Sequence, residues 1–306
     1  MNPNELCSVE FAPIKQQAQR KLHISQGWCL EYAVFILNPY QNGDKKQAKR
    51  TLFAFHGFAR PLEDMKELAE YWPIEGTLIS VHLFHHGASG PSDNEKEDDS
   101  PIPPSTFNKL LVEIAQKEGL SAQQYDLIGY SIGGRIGLTL FNDAPDRWNH
   151  ITLLAPDGLK QSPFYYLTVH TKLGQLIWFA IDRHAPLVIR CNNALLKSGL
   201  IPSHLHGFFA FHIVNHEMRM MVWKGWRAHR LCWPTLQEIT QSIKHWDGRM
   251  DIVFGDHDRI IPKSNGKRLQ KMNRTNKHVH FHSLHSGHGM LKPTAIQKLI
   301  NRIFPT

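Results

Sequence analysis

Short apolar runs alternate with longer segments of helical periodicity over most of the chain. Residues 21–37 read as a pair of strands, and 51–56, 76–84, 125–130, 149–154, 250–254 and 277–282 as single strands. Between them, 61–71, 105–118, 132–142, 263–273 and 293–303 have the length and spacing of helices. Strands alternating with helices of this size predict βαβ units, an α/β fold with a mostly parallel central sheet flanked by helices. From residue 162 to 246 the strand signal disappears. Helix-length segments broken at Pro186, Pro202 and Pro234 replace it. The pattern therefore predicts a core in two parts, 1–157 and 247–306, split after about its sixth strand by a helical insertion at 158–246. The stretch 91–104 is charged and proline-rich and reads as a solvated surface excursion.

Composition adds exclusions. With 42% hydrophobic and 20% charged residues in 306, the chain is too apolar for a disordered protein and lacks collagenous or coiled-coil bias. Cys7, Cys29, Cys191 and Cys232 are scattered and form no CxxC pair, so neither a disulfide framework nor a zinc site of that kind is expected. The first residues show no apolar run of a signal peptide. No stretch reaches the roughly 20 apolar residues of a membrane helix. The best, near 173–181, is bounded by Lys172, Asp182 and Arg183. The expectation is a soluble, cytoplasmic protein.

Charge changes the picture more. The net charge is +8, but it is concentrated: residues 158–246 hold ten Lys/Arg against three Asp/Glu, and the rest of the chain 25 against 24. Five of the eight tryptophans (Trp178, Trp223, Trp226, Trp233, Trp246) lie in the same stretch. A basic, aromatic insertion suits an anionic substrate, a lipid surface or nucleic acid. Basic side chains solvating the outer faces of packed helices would give the same composition. No nucleic-acid-binding module is recognisable, so no nucleic-acid partner is expected.

The most specific chemical signal is Gly129-Tyr130-Ser131-Ile132-Gly133, followed by Gly134, between a strand and a helix. A serine on so tight a strand-to-helix turn projects its hydroxyl above the sheet, and a Cβ at either flanking glycine would crowd the turn. The Ile132 N–H, at a helix N-terminus, can face an oxyanion beside Ser131. A serine hydroxyl needs a base, and the base an orienting acid. An acid and then a histidine should follow in that order. Strand 250–254 runs into Gly255-Asp256-His257-Asp258-Arg259-Ile260-Ile261-Pro262, and strand 277–282 into Ser286-Gly287-His288-Gly289.

Together GYSIGG, GDHDRIIP and SGHGM resemble the α/β-hydrolase superfamily, in its branch with a helical cap, over roughly residues 50–156 and 248–303. The resemblance implies Ser131 as nucleophile, His288 as base and Asp258 as acid. Asp258 is preferred to Asp256 because the family's acid stands three residues after the glycine and shortly before a proline; Asp157 is a third candidate. Phe55-His56-Gly57-Phe58 resembles the family's oxyanion loop, which implies Phe58 N–H as an oxyanion donor alongside Ile132. His85-His86-Gly87-Ala88-Ser89 resembles the GHGxS turn, with His82 and His85 in place of the usual aspartate and glycine. Aspartate at the elbow would imply dehalogenase or epoxide-hydrolase chemistry, whereas Ser131 implies acyl transfer to water. The expected activity is hydrolysis of a carboxylic ester or related acyl bond in a small-molecule substrate, without cofactor. The alternative is a ligand-binding or signalling protein on the same fold.

Twenty histidines raise the question of a metal. His278, His280 and His282 would share one face of a strand at about 6–7 Å spacing, too far apart for one ion. There is no HExxH, no Walker A sequence and no GxGxxG after the first strand. No metal is expected. Within the insertion, 217–231 places Met218, Met221, Val222 and Gly225 at helical spacing, with Arg219, Lys224, Arg227 and Arg230 interspersed and Phe208, Phe209 and Phe211 just upstream. Such a lid would pack its apolar side on the core, or line a pocket for an apolar acyl chain. Its basic exterior would meet anionic amphiphiles or a membrane.

Overall fold

A computed structural model describes residues 19–37, 49–92 and 99–304, apart from the side chains at 203–205, 208 and 209. Cys7, the N-terminal segment, residues 93–98 of the charged excursion and the Phe208 and Phe209 side chains lie outside the described residues.

Strands β1 (Arg20–Ser25) and β2 (Trp28–Leu37) form an antiparallel hairpin, turned at Gln26 and Gly27 with positive φ at both. They are followed by β3 (Arg50–Phe55), β4 (Gly76–Val81), the two-residue β5 (Gly90–Pro91), β6 (Tyr125–Tyr130), β7 (Trp148–Leu154), β8 (Arg249–Gly255) and β9 (Val279–Leu284). The sheet order is β1-β2-β4-β3-β6-β7-β8-β9, with β5 beside β2 and every pair from β4 through β9 parallel. Helices α1 (Lys66–Tyr71), α2 (Pro104–Lys117), α3 (Ile132–Asp143), α10 (Lys267–Met272) and α11 (Pro293–Ile303) flank it. The strand expected at 76–84 stops at Val81, because His82 to Ser89 bend into a tight turn closed by hydrogen bonds from His85 N–H to the Ser89 carbonyl and from Ser89 N–H to the His86 carbonyl.

Apolar alternation divides the core between the two sheet faces. Phe53 and Phe55 join one cluster with α2 and α3, while Leu52 and Ala54 join the other with α1 and α11. Strands buried on both faces read as continuous apolar runs, which is why β3, β6 and β7 were legible.

Six helices stand between β7 and β8: α4 (Pro163–His170), α5 (Lys172–Arg183), α6 (Ala185–Lys197), α7 (Ser203–Ile213), α8 (His216–Ala228) and α9 (Leu236–Lys244). The prolines mark helix starts: Pro186 sits in the first turn of α6, Pro202 caps α7, and Pro234 precedes the Thr235 capping box of α9. Leu236, Ile239, Ile243 and Trp246 are buried in the cluster that contains α3, so α9 belongs to the layer flanking the sheet. The helices set apart from that layer are α4–α8.

The histidine row does not share one role. His278 precedes β9 and bonds the Gly248 carbonyl (2.7 Å), while His282 donates to Asp251 (2.6 Å). His150 of β7 (2.7 Å) and Arg249 of β8 donate to the same carboxylate, which is fully buried. Asp251 thus ties β7, β8 and β9 together. Burial pushes its pKa upward, but the hydrogen bonds from His150, His282 and Arg249 prevail and hold it well below the usual carboxylate range.

Asp251→Asn is therefore expected to cost about 3 kcal/mol of unfolding free energy, since it leaves buried partners without their counter-charge. With its folded pKa depressed, the Asp251 contribution is complete above about pH 4 and lost as the pH falls further. Urea unfolding of wild type and variant should therefore converge in acid; a constant difference would contradict this.

Candidate active site

Every candidate side chain sits on a loop at the C-terminal edge of the parallel strands. Between β6 and α3, Ser131 adopts φ 56° and ψ −117°, a conformation that a non-glycine residue holds only under constraint. Backbone supplies the constraint. Ser131 N–H donates to the Leu154 carbonyl (2.9 Å), and the Ser131 carbonyl accepts from Gly134 and Asp157 N–H (2.9 Å each). A Cβ on Gly129 would lie 2.4 Å from the Gly133 carbonyl oxygen, and one on Gly133 2.2 Å from that of Phe55.

A second close approach brings the other two loops together. A Cβ on Gly255, ending β8, would lie 2.6 Å from the Ser286 and Gly287 carbonyl oxygens after β9. Beyond this crossing, the buried Asp258 accepts from the N–H groups of Ile260 (2.8 Å) and Ile261 (2.9 Å) through one oxygen and bonds His288 Nδ1 (2.7 Å) through the other. His288 Nε2 lies 3.2 Å from Ser131 Oγ. With its Nδ1–H directed at the carboxylate, the imidazole presents the Nε2 lone pair to the serine hydroxyl. Tyr130 holds the histidine from below: its hydroxyl donates to the His288 carbonyl (2.8 Å), and the two rings are 5.2 Å apart. Burial pushes the Tyr130 hydroxyl up to about 12, so it stays a neutral donor.

The other two acids are engaged elsewhere. Asp256 is exposed and bonds Lys263 (2.9 Å) and Ser283. Asp157 faces Arg135 (3.4 Å) and accepts from Gly158 N–H (2.8 Å).

The Phe58 loop is held by two buried histidines. His56 donates from Nδ1 to the Gly57 carbonyl (2.7 Å) and accepts Leu83 N–H at Nε2 (3.2 Å). His86 accepts Ala59 N–H at Nε2 (2.9 Å), where Ala59 has φ 54°. Burial pushes the pKa of His86 down to about 4 and that of His56 well below its ordinary value, so both remain neutral. Phe58 and Ile132 N–H donate to no acceptor among the described residues. Over Phe58 lie Trp178 of α5 and Val222 and Trp223 of α8.

Three contributors escaped the sequence reading. Glu31 of β2 accepts Ala88 N–H (2.6 Å) and bonds His82 (3.3 Å), supplying the turn at 85–89 with a carboxylate from a neighbouring strand. Tyr130 was read only as part of the motif. Arg135, one turn along α3 from Ser131 and 1% exposed, lies under Tyr165 (4.9 Å) and Trp233 (4.5 Å) and fastens the insertion to the helix behind the serine. Their signal was a charge inside an apolar run: Glu31 in WCLEYAVF and Arg135 in IGGRIGL.

No family model matches the chain. A curated relative, the Uncharacterized hydrolase YugF of Bacillus subtilis (strain 168), is 22% identical over 252 residues, covering 78% of this chain and 84% of its own. Among solved structures, MGS-M2, an alpha/beta hydrolase enzyme from a Medee basin deep-sea metagenome library, superposes with a TM-score of 0.60 at 13% identity, covering 94% of this chain and 98% of that one. A thermophilic esterase from Thermogutta terrifontis gives 0.58 at 16% identity over 94% and 98%. The thioesterase domain from the curacin biosynthetic pathway gives 0.56 at 14% over 93% and 99%. The chain has the α/β-hydrolase fold.

Gly133→Ala should destabilise the protein by about 1–3 kcal/mol, since its Cβ meets backbone that cannot retreat. Gly207, in α7, has open space around a Cβ, and Gly207→Ala should be neutral or slightly stabilising. Equal effects in urea unfolding would contradict the steric account of the elbow.

Proposed function

We propose that the protein is a serine hydrolase that cleaves a carboxylic ester or related acyl bond. The observation that carries this reading is the unbroken hydrogen-bond chain from Asp258 through His288 to Ser131. In this mechanism His288 Nε2 takes the hydroxyl proton as Ser131 Oγ attacks the acyl carbonyl. Asp258, itself held by two backbone amides, stabilises the imidazolium that forms. The tetrahedral oxyanion sits between the N–H groups of Phe58 and Ile132, which have no acceptor among the described residues to give up. His288 then protonates the leaving alkoxide, and the acyl group remains on Ser131. A water deprotonated by His288 attacks the acyl-enzyme and releases the acid. Fold neighbours that include an esterase and a thioesterase support hydrolytic acyl chemistry.

The inserted helices favour an apolar acyl group. Trp178, Val222 and Trp223 gather around Phe58, whose amide would hold the oxyanion, so the substrate chain meets indole and aliphatic surface there.

A fluorophosphonate probe should label wild type at one site and fail to label Ser131→Ala. Absence of labelling in wild type would favour a ligand-binding protein without turnover. Asp258→Asn should lower kcat by about 10⁴-fold, whereas Asp256→Asn should leave it nearly unchanged; the reverse would move the acid to Asp256. Along a p-nitrophenyl ester series, kcat/KM should rise from acetate to longer chains, and a flat or falling series would remove the apolar acyl site.

A further inference from the structure

The inserted helices form two layers with different outer chemistry. Helix α8 lies against the core, where Ile102 N–H bonds the Ala228 carbonyl (3.0 Å) and Arg230 bonds that of Asp99 (2.7 Å). Helix α5 packs on α4 at its buried Gly174 and on α8 through Trp178, whose ring lies 6.2 Å from that of Trp223. Its opposite side carries Leu173, Leu176 and Ile177 at 61%, 67% and 37% exposure, at the spacing of one helical face, while the Phe179 ring leans on Trp223 of α8 at 5.1 Å. Helix α6, packed beside α5, exposes Leu187 (60%) and Leu195 (40%), and Leu200 (72%) follows its end. Single exposed leucines are ordinary; a run of them over consecutive packed helices marks an interaction surface.

The charge on this surface is of one sign. Lys172, Arg183, Arg190 and Lys197 are exposed on α5 and α6 and form no ion pair with any described residue. The one acidic residue between 162 and 214 is Asp182, and Arg219 (2.6 Å) and His216 (2.9 Å) occupy its carboxylate. A second copy of the chain would bring the same cations against these, so self-association works against its own field. An anionic bilayer satisfies both features: headgroup phosphates pair with the lysines and arginines, and leucine and isoleucine enter the acyl boundary. Twelve-residue α5 is about 18 Å long, too short to span, and no helix among the described residues is long and apolar enough to cross a membrane.

We propose that the outer face of α5 and α6 is a docking surface for anionic lipid, on which these helices lie in the plane of the interface. The inference stands independently of the catalytic reading, because it uses no residue of the candidate active site.

Flotation with phosphatidylglycerol–phosphatidylcholine vesicles tests it, with pure phosphatidylcholine as control. Wild type should bind the mixed vesicles, weakly or not at all the neutral ones, and release in high salt. Arg183→Glu with Arg190→Glu should weaken binding by about fivefold per basic residue or more. Leu176→Asp with Ile177→Asp should weaken it by at least about tenfold. Hydrolysis of a soluble short-chain ester, read in parallel, should not change, so that loss of docking and failure of the hydrolase reading remain distinct. Absence of vesicle binding, equal binding to both vesicle types, or binding insensitive to these substitutions would overturn the proposal. So would a wild-type dimer in sedimentation velocity that Leu176→Asp dissociates, since the face would then belong to a second copy.

Discussion

A serine at φ 56° does not keep that conformation unaided; it is kept there by backbone on every side. Gly129 and Gly133 allow β6, α3 and the end of β3 to approach so closely that any side chain at either glycine would collide with a carbonyl oxygen. A hydrogen bond from Ser131 N–H to the Leu154 carbonyl and one from Asp157 N–H to the Ser131 carbonyl close the ring around the residue. The strain, of order 1–3 kcal/mol, is carried by two parallel strands and a buried helix, none of which can relax alone. The position of the hydroxyl, the free Ile132 amide and the reach to His288 all follow from that one turn.

The remaining geometry depends on bringing two distant loops to it. Gly255 lets the segments after β8 and β9 cross at backbone contact, which delivers Asp258 and His288 to the same point. Within the sheet, Asp251 clamps β7, β8 and β9, so the strands that lead to Asp258 and His288 are fixed to the one beside the serine turn. Neutral, buried His56 and His86 perform the comparable task for the Phe58 loop.

The fold was legible because its physics is local and repetitive: apolar runs for doubly buried strands, helical periods between them, and a strand–GxSxG–helix sequence that permits few backbone paths. The choice of Asp258 over Asp256 rested on the family's spacing, and the structure places Asp258, not Asp256, on His288. What sequence could not give was partnership across strands. Glu31 and His82 are 51 residues apart, and Arg135 meets Tyr165 and Trp233 only after the insertion folds back. The amphipathic period of α9 likewise does not say which neighbour its apolar stripe will meet. The histidines of 278–282 resembled a row by alternation, yet His278 bonds the loop before β8 at Gly248 and His282 bonds Asp251 within β8.

The central claim is that Ser131 carries the acyl group between its two transfers. The most direct measurement mixes near-stoichiometric enzyme with a p-nitrophenyl ester, quenches in acid during the first turnover and maps the peptides by mass. The account predicts a burst of nitrophenol and the acyl mass on the peptide containing Ser131. Hydrolysis that proceeds with no acyl group on Ser131, or with the acyl group on another residue, would contradict it.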